Sequence, residues 1–298
     1  MIAIIRKELA DYVTSVRGLI ILLLVFGISA IALVAAKAGI TGMAAESGYI
    51  FIKIFTTSPQ TLPEVMAFHT LVALFFIPLI GIGLGFDAVN SERASGTLSR
   101  ILSQPVYRDE VINAKVMVRI LILTLMMATA LLIIAGFGLG IIGVPPVSDE
   151  VTRLVFYFIL TIIYGAFWLG LAVLFSVLFR GVGTSLLVSI ALWLLLSLGP
   201  IVAASGESTA GALQAIIRFS PSQLFVDASN QLLQPLGKAF GYIDPVTSYQ
   251  TALLVFSPPS LDQSLLLAAP NIVVLISLTA VTLAISYVLF MRQEVRYG

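Results

Sequence analysis

The chain has 298 residues, of which 59% are hydrophobic and 10% are charged, and its net charge is +1 at neutral pH. Soluble domains carry about 25% charged residues, so this composition excludes an ordinary soluble fold and predicts an integral membrane protein. The near-zero charge gives no argument for a nucleic-acid partner. The absence of cysteine from the sequence excludes disulfides and thiolate metal sites.

Residues 1–17 predict an amphipathic elbow helix that lies in the membrane interface. Apolar side chains recur at helical spacing between Ile2 and Val16, and charged residues occupy much of the remaining surface. The alternative is a cytosolic extension of the first span. The apolar run that follows, residues 18–36, is longer than the core of a signal peptide and predicts a membrane span.

Six apolar runs are long enough to cross a bilayer, which takes about 20 residues in a helix. They are residues 18–36, 65–86, 116–142, 154–179, 184–204 and 270–291. An even number of spans places both termini on one side. When the termini are inside, most of the 16 Lys and Arg residues lie in inner segments, as the positive-inside rule requires. We therefore expect an all-α protein of the cell membrane, with one transmembrane domain over residues 1–298 and both termini cytoplasmic.

Residues 205–269 predict a large outer loop before the last span. Apolar helical stretches at 212–219 and 224–233 are separated by prolines, and aromatic residues are frequent. Disordered segments contain few aromatic residues, so we expect helices that pack on the outer membrane surface. The alternative is a plain surface loop.

The longest polar stretch, residues 87–115, joins the second and third spans and is therefore expected in the cytoplasm. Asn90 or Ser91 is predicted to cap a short helix with Glu92 in its first turn, where a negative charge suits the helix dipole. Gly96 then permits a bend at a cost of about 1 kcal/mol relative to alanine.

The second part of this hairpin presents a small apolar ridge. Leu98, Ile101 and Leu102 fall on one helical face. Pro105 is expected to end that helix, and a second helix is expected to begin near Arg108 and to continue into the third span. A ridge of this shape suits docking into a groove on a cytosolic partner.

The hairpin contains the pattern Glu92-x-x-x-Gly96-Thr97-Leu98, followed by Leu102, Pro105, Val106, Arg108, Glu110 and Lys115. This pattern resembles the first cytoplasmic loop of ABC transporter permeases of the type-2 export family. The order of elbow helix, six spans and a large outer loop before the last span is similar too. Ser99 departs from the family pattern, which often has an acidic residue there, and Tyr107 stands where many members have Ser or Thr.

The resemblance implies a permease that forms a translocation path, dimerises with a second copy in membrane lipid and is driven by separate ABC ATPase subunits. ATP and magnesium would bind to those subunits, so this chain would hold no cofactor and would not be an enzyme. The coupling-helix residues implied to contact the ATPase are Glu92, Gly96, Thr97, Leu98, Arg100, Ile101, Leu102, Pro105, Arg108 and Glu110.

Two glycine-rich runs, residues 81–85 and 136–140, lie inside apolar spans and lack the lysine of a phosphate loop. Their GxxxG spacing favours close helix packing in lipid. His69, the single histidine of the sequence, is expected to be an interfacial or packed residue rather than a metal ligand.

Two other classes of function fit the composition. The first is a secondary transporter or channel that needs no ATP, in which Pro78 or Gly199-Pro200 would break a helix. The second is a membrane scaffold that transports nothing. The span centres lack charge, which argues against coupling to protons or sodium and favours a lipidic, amphipathic or drug-like cargo over a free ion.

Overall fold

The computed structural model describes residues 6, 8–10, 12, 15–40, 51–56, 68–98, 107–143, 145–204, 219–233 and 260–292, and these residues contain helices and turns but no strand. The helices are α1 (Val16–Ile40), α2 (Lys53–Thr56), α3 (Phe68–Leu71), a π-helical segment (Val72–Phe76), α4 (Ile77–Gly85), α5 (Asn90–Ala94), α6 (Arg108–Ile142), α7 (Ser148–Leu178), α8 (Val182–Ala204), α9 (Pro221–Leu233) and α10 (Leu261–Arg292).

Among the described residues, four helical segments are long and apolar enough to cross a membrane, namely Phe68–Ala94, Arg108–Gly140, Ser148–Leu178 and Leu261–Arg292. They coincide with the second, third, fourth and sixth predicted spans, so the helical class is confirmed and these four runs are helices of spanning length. The first and fifth predicted spans coincide with shorter apolar helices, Gly18–Val34 and Val182–Ser197. The total of six spans stays a prediction. The described residues of the amino-terminal segment 1–17 include helical ones, and the elbow helix also stays a prediction.

Two helices begin earlier than the apolar pattern predicts, because polar residues cap them. α10 begins at Leu261, where the amide of Gln263 donates to the Ser260 hydroxyl and the amide of Ser260 donates to the Gln263 side chain. This is a reciprocal capping box. α7 begins at Ser148, and the Val147 amide donates to Glu150 Oε2 at 2.9 Å. The predicted outer loop therefore reaches no further than residue 260, and the helix continues through Pro270.

The GxxxG pair in α4 brings that helix against the backbone of α7. A Cβ atom added at Gly81 would lie 2.7 Å from the Cβ of Trp168, and one added at Gly85 would lie 2.7 Å from the Cβ of Ala172. Only glycine lets the two helices approach this closely, so the packing prediction for residues 81–85 is confirmed. At Gly136 and Gly140 an added Cβ would meet nothing within 4 Å. At Gly138 of the same run an added Cβ would clash with the Ile54 side chain, so this run is packed at its centre, and packing of Gly136 and Gly140 against another helix stays a prediction.

The π-helical segment Val72–Phe76 lies between α3 and α4 and ends two residues before Pro78. The Ile77 amide donates to the Val72 carbonyl, five residues back, so the Ala73 carbonyl loses its usual donor. Pro78 has no amide hydrogen to give to Leu74. The Tyr164 hydroxyl donates to the Ala73 carbonyl at 2.7 Å, and Trp193 Nε1 donates to the Leu74 carbonyl at 2.9 Å. Side chains of α7 and α8 thus satisfy both orphaned carbonyls.

At the end of the bundle far from α5, one acidic and one basic side chain of α7 connect separate segments of the chain. Glu150 Oε1 accepts from the Phe51 and Ile52 amides at 2.9 and 3.2 Å. The fully buried Arg153 pairs with Asp149 at 2.7 Å. Its Nη1 also donates to the Leu232 carbonyl and to the Ser264 hydroxyl. One arginine therefore holds α7, α9 and α10 together.

α9 lies in the segment predicted as the outer loop and packs against α7, α8 and α10. Leu224, Phe225 and Leu232 are buried, and the ring of Phe225 stacks on Tyr164 with 4.5 Å between centroids. The helical stretch expected at 224–233 is confirmed, whereas residues 212–218 lie outside the described residues. At the same end of the bundle His69 is 4% exposed and its Nδ1 lies 3.2 Å from the Phe55 carbonyl, so it is a packed histidine, as expected.

Candidate partner-binding hairpin

The polar hairpin begins with a turn that is fixed to the end of α7. The amides of Val89 and Asn90 donate to the Ser176 hydroxyl at 2.9 and 3.2 Å. The Asn90 side chain donates to the Phe86 carbonyl at 3.2 Å and is fully buried. The start of α5 is therefore fixed to α7 and buried at Asn90, while Ser91 and Glu92 are half-buried.

The predicted capping role of Asn90 and Ser91 is wrong. Val89 occupies the N-cap position without a side-chain cap bond. Because the chain already turns through residues 86–89, Asn90 and Ser91 donate backwards to carbonyls four residues earlier, and Ser91 Oγ lies 2.6 Å from the Asp87 carbonyl. The predicted bend at Gly96 is confirmed, since its φ of 70° lies in the left-handed region that favours glycine.

The side chains near this bend are divided between the surface and the interior. Ser95 and Gly96 are exposed, Thr97 is half-buried, and the hydroxyls of Ser95 and Thr97 lie 2.9 Å apart. Leu98 is only 2% exposed and belongs to the hydrophobic core. Leu98 therefore faces inward, and its part in a docking ridge stays a prediction.

The rest of the hairpin leads directly into the next long helix. Arg100, Ile101, Leu102 and Pro105 lie outside the described residues, so their predicted contact with a partner stays a prediction. α6 begins at Arg108, as expected, and has Asp109 and Glu110 in its first turn. It then runs without interruption to Ile142, so the hairpin and the third predicted span share one rigid helix.

An ion cluster lies beneath the hairpin; it consists of Glu8, Glu92, Lys115 and Arg119, and we call it the basal ion cluster. Lys115 Nζ lies 2.8 Å from Glu92 Oε1 and 2.9 Å from Glu8 Oε1. Only 2% of the Lys115 side chain is exposed, against 13% and 14% for the two carboxylates. The ammonium group thus joins α5, α6 and the amino-terminal segment.

Arg119 extends the basal ion cluster by one helical turn. Its Nη1 lies 3.6 Å from Glu8 Oε2, and its Nε donates to the Leu84 carbonyl at 2.7 Å. Leu84 lies near the end of α4, so the cluster also contacts the helix that leads into the hairpin. Sequence reasoning placed Glu92 towards a partner and missed this cluster. The available signal was the i, i+4 spacing of Lys115 and Arg119, which places both cations on one face of α6.

These observations define a class: a helical, multi-pass membrane protein in which a structured polar hairpin between two spans is connected to the helix bundle. The sequence profile of the family described as "ABC-2 family transporter protein" matches residues 2–295. The chain belongs to this family.

Two relatives named "Probable ABC transporter permease protein NosY" are similar to part of the chain. The protein from Stutzerimonas stutzeri is 32% identical over 142 residues, which cover 47% of this chain and 44% of the relative. The protein from Pseudomonas aeruginosa is 31% identical over 151 residues, or 50% of this chain and 46% of the relative. The chain thus matches less than half the length of each relative. The resemblance to ABC permeases that the hairpin pattern indicated is confirmed.

Proposed function

We propose that this chain is the membrane-spanning permease subunit of an ATP-driven ABC exporter, and that separate ATPase subunits bind its hairpin. The observation that carries this proposal is the hairpin itself, which displays an exposed turn at Ser95 and Gly96 while buried ion pairs connect its base to three helical segments. Membership of the ABC-2 family supports the same function. In this proposal ATP and magnesium bind the ATPase subunits, and this chain hydrolyses nothing.

The proposed mechanism is alternating access. Closure of two ATPase subunits on ATP pushes the hairpin, and α6 conveys that displacement into the membrane because it is one continuous helix from Arg108. ATP must favour one of two arrangements of the spans for its binding to move them. The permease acts as a homodimer in membrane lipid, and the path lies at or near the interface between its two copies. The apolar, charge-poor spans suit a lipidic, amphipathic or drug-like cargo.

The test is capture of the ATPase by tagged chain purified from its native membranes. We expect an ATP-hydrolysing subunit to co-purify. Ile101→Asp and Leu102→Asp place a charge on the predicted docking ridge and should each reduce the captured ATPase at least ten-fold. Ser148→Asp is the matched control, because Ser148 is exposed at the opposite end of the bundle, and it should leave capture unchanged.

Two outcomes would contradict the proposal. One is that the native chain captures no ATPase although it transports. The other is that both ridge variants retain full capture together with full hydrolysis. Gel filtration of each variant in detergent shows whether the loss of capture reflects unfolding.

A further inference from the structure

We infer that Lys115 is a positioning residue, through which displacement of the hairpin reaches the helix bundle. This inference rests on the proposed function, because it assigns a route for the force that an ATPase would apply. Glu92 is the partner of Lys115 in α5, and Glu8 is its partner in the amino-terminal segment.

The geometry of Lys115 suits such a role because its one ammonium group binds two carboxylates from different segments. The separations of 2.8 and 2.9 Å are those of charge-assisted hydrogen bonds, which are stronger than neutral ones. α5 alone is only five residues long, too short to be stable without external contacts. The ion pair therefore makes α5 and α6 move together.

Burial makes the ion pair between Lys115 and Glu92 difficult to separate. Lys115 is 2% exposed and Arg119 is 7% exposed, so water screens their charges weakly. Pulling Glu92 away would leave a buried ammonium group with one carboxylate fewer, which is strongly unfavourable. Arg119 also donates to the Leu84 carbonyl, so a displacement of α6 also displaces the end of α4.

The competing explanation is that the basal ion cluster only stabilises the fold. It predicts a different result when charges of the cluster are removed. Replacing a buried ionic group by neutral residues of similar size often restores stability. The double variant Glu8→Gln, Lys115→Met removes one charge of each sign, keeps the side-chain volumes and leaves the opposite charges of Glu92 and Arg119 in place. It should fold, whereas Lys115→Met alone leaves two carboxylates close together.

The first experiment compares the complex of permease and captured ATPase for the native chain, Lys115→Arg and the double variant. We expect the double variant, which keeps Glu92, to capture the ATPase at native stoichiometry and to melt within a few degrees of the native chain. We expect the permease-dependent rate of ATP hydrolysis to fall at least ten-fold in this variant. Lys115→Arg should keep that hydrolysis within about three-fold, because it preserves the charge. Asp149→Asn is the control, since it weakens an ion pair at the opposite end.

Recovery of both stability and hydrolysis in the double variant would overturn the inference, because the cluster would then only stabilise the fold. An equal loss of permease-dependent ATP hydrolysis in Asp149→Asn would also overturn the inference. Failure of the proposed function is a separate result, in which the native chain captures no ATPase at all.

A second experiment uses no ATPase and therefore tests the connection by itself. The sequence has no cysteine, so spin labels can be placed at Ser95→Cys and Leu132→Cys, both exposed in the structure. Leu132 lies about 26 Å along α6 from Lys115 by helix rise. We expect a narrow distance distribution in the native background and at least a doubled width in the double variant. Equal widths would contradict a rigid connection.

Discussion

Trp193 supplies the hydrogen bond that Pro78 withholds from Leu74. Its Nε1 lies 2.9 Å from the Leu74 carbonyl, four residues before the proline, and its ring also packs edge-on against Phe75 with 6.1 Å between centroids. Lipid offers no replacement donor. The irregular segment of the second predicted span therefore depends on α8 as well as on α7, whose Tyr164 donates to the Ala73 carbonyl.

Trp193→Phe should destabilise the protein by about 0.5–2 kcal/mol, the range expected for a hydrogen bond between helices in a membrane. The phenyl ring keeps the contact with Phe75 but cannot donate to the carbonyl. Unfolding in mixed detergent measures the change. In the Pro78→Ala background the amide of residue 78 is available, so the same substitution should lose at least half its effect. An identical effect in both backgrounds would refute the assignment.

Gly85→Ala should destabilise the packing of α4 on α7 by about 1–3 kcal/mol, the usual range for overpacking. The new methyl group would lie 2.7 Å from the Cβ of Ala172 and 2.8 Å from the Leu169 carbonyl oxygen. Gly140→Ala is the matched control, since an added Cβ there meets nothing within 4 Å. It should be neutral or slightly stabilising because alanine favours helix. Equal melting temperatures for the two variants would contradict the observed packing.

Arg153→Gln should loosen α9 from the bundle and destabilise the protein by about 2–3 kcal/mol, because several hydrogen bonds from one buried charge are lost. Hydrogen exchange of the α9 amides should rise more than that of the α6 amides. Asp149→Asn should have a smaller effect, since the Asp149 side chain is 36% exposed and water can hydrate it. A uniform rise in exchange throughout the chain would show that Arg153 does not act locally.

Apolar runs made most of the fold predictable. Hydropathy located the long helices, and glycine at position 96 located the bend. Ser260 and Gln263 carried a capping signal that extends α10 beyond its apolar run, yet the prolines nearby favoured a loop. The π-helical segment could not be predicted, because it depends on Tyr164 and Trp193 from distant helices.

The candidate site was predictable in position but not in contacts. The pattern around Gly96 and Leu98 indicated the hairpin, whereas the direction of each side chain depends on tertiary packing. Leu98 is buried, although its spacing with Ile101 suggested an exposed ridge. Glu92 binds Lys115 across a sequence separation that no local pattern reveals.

The hairpin and the far end of α7 should lie on opposite sides of the membrane. The sequence contains no cysteine, so single replacements report location directly. Ser148→Cys should react with a membrane-impermeant maleimide in intact cells, and Ser95→Cys should react only after permeabilisation, because the positive-inside rule places the hairpin in the cytoplasm. Both residues are exposed in the structure, so burial would not explain a difference. Labelling of Ser95→Cys in intact cells would reverse the predicted orientation.

Crosslinking from the exposed turn tests the central claim most directly, namely that an ATPase subunit binds the hairpin. A photoreactive phenylalanine derivative is placed at Ser95 in one variant and at Ser148 in another, and both are irradiated in native membranes. We predict a crosslinked species that contains an ATP-binding subunit from Ser95 only, with a yield that changes when ATP is added. No ATPase adduct from Ser95, or equal adducts from both positions, would contradict the account.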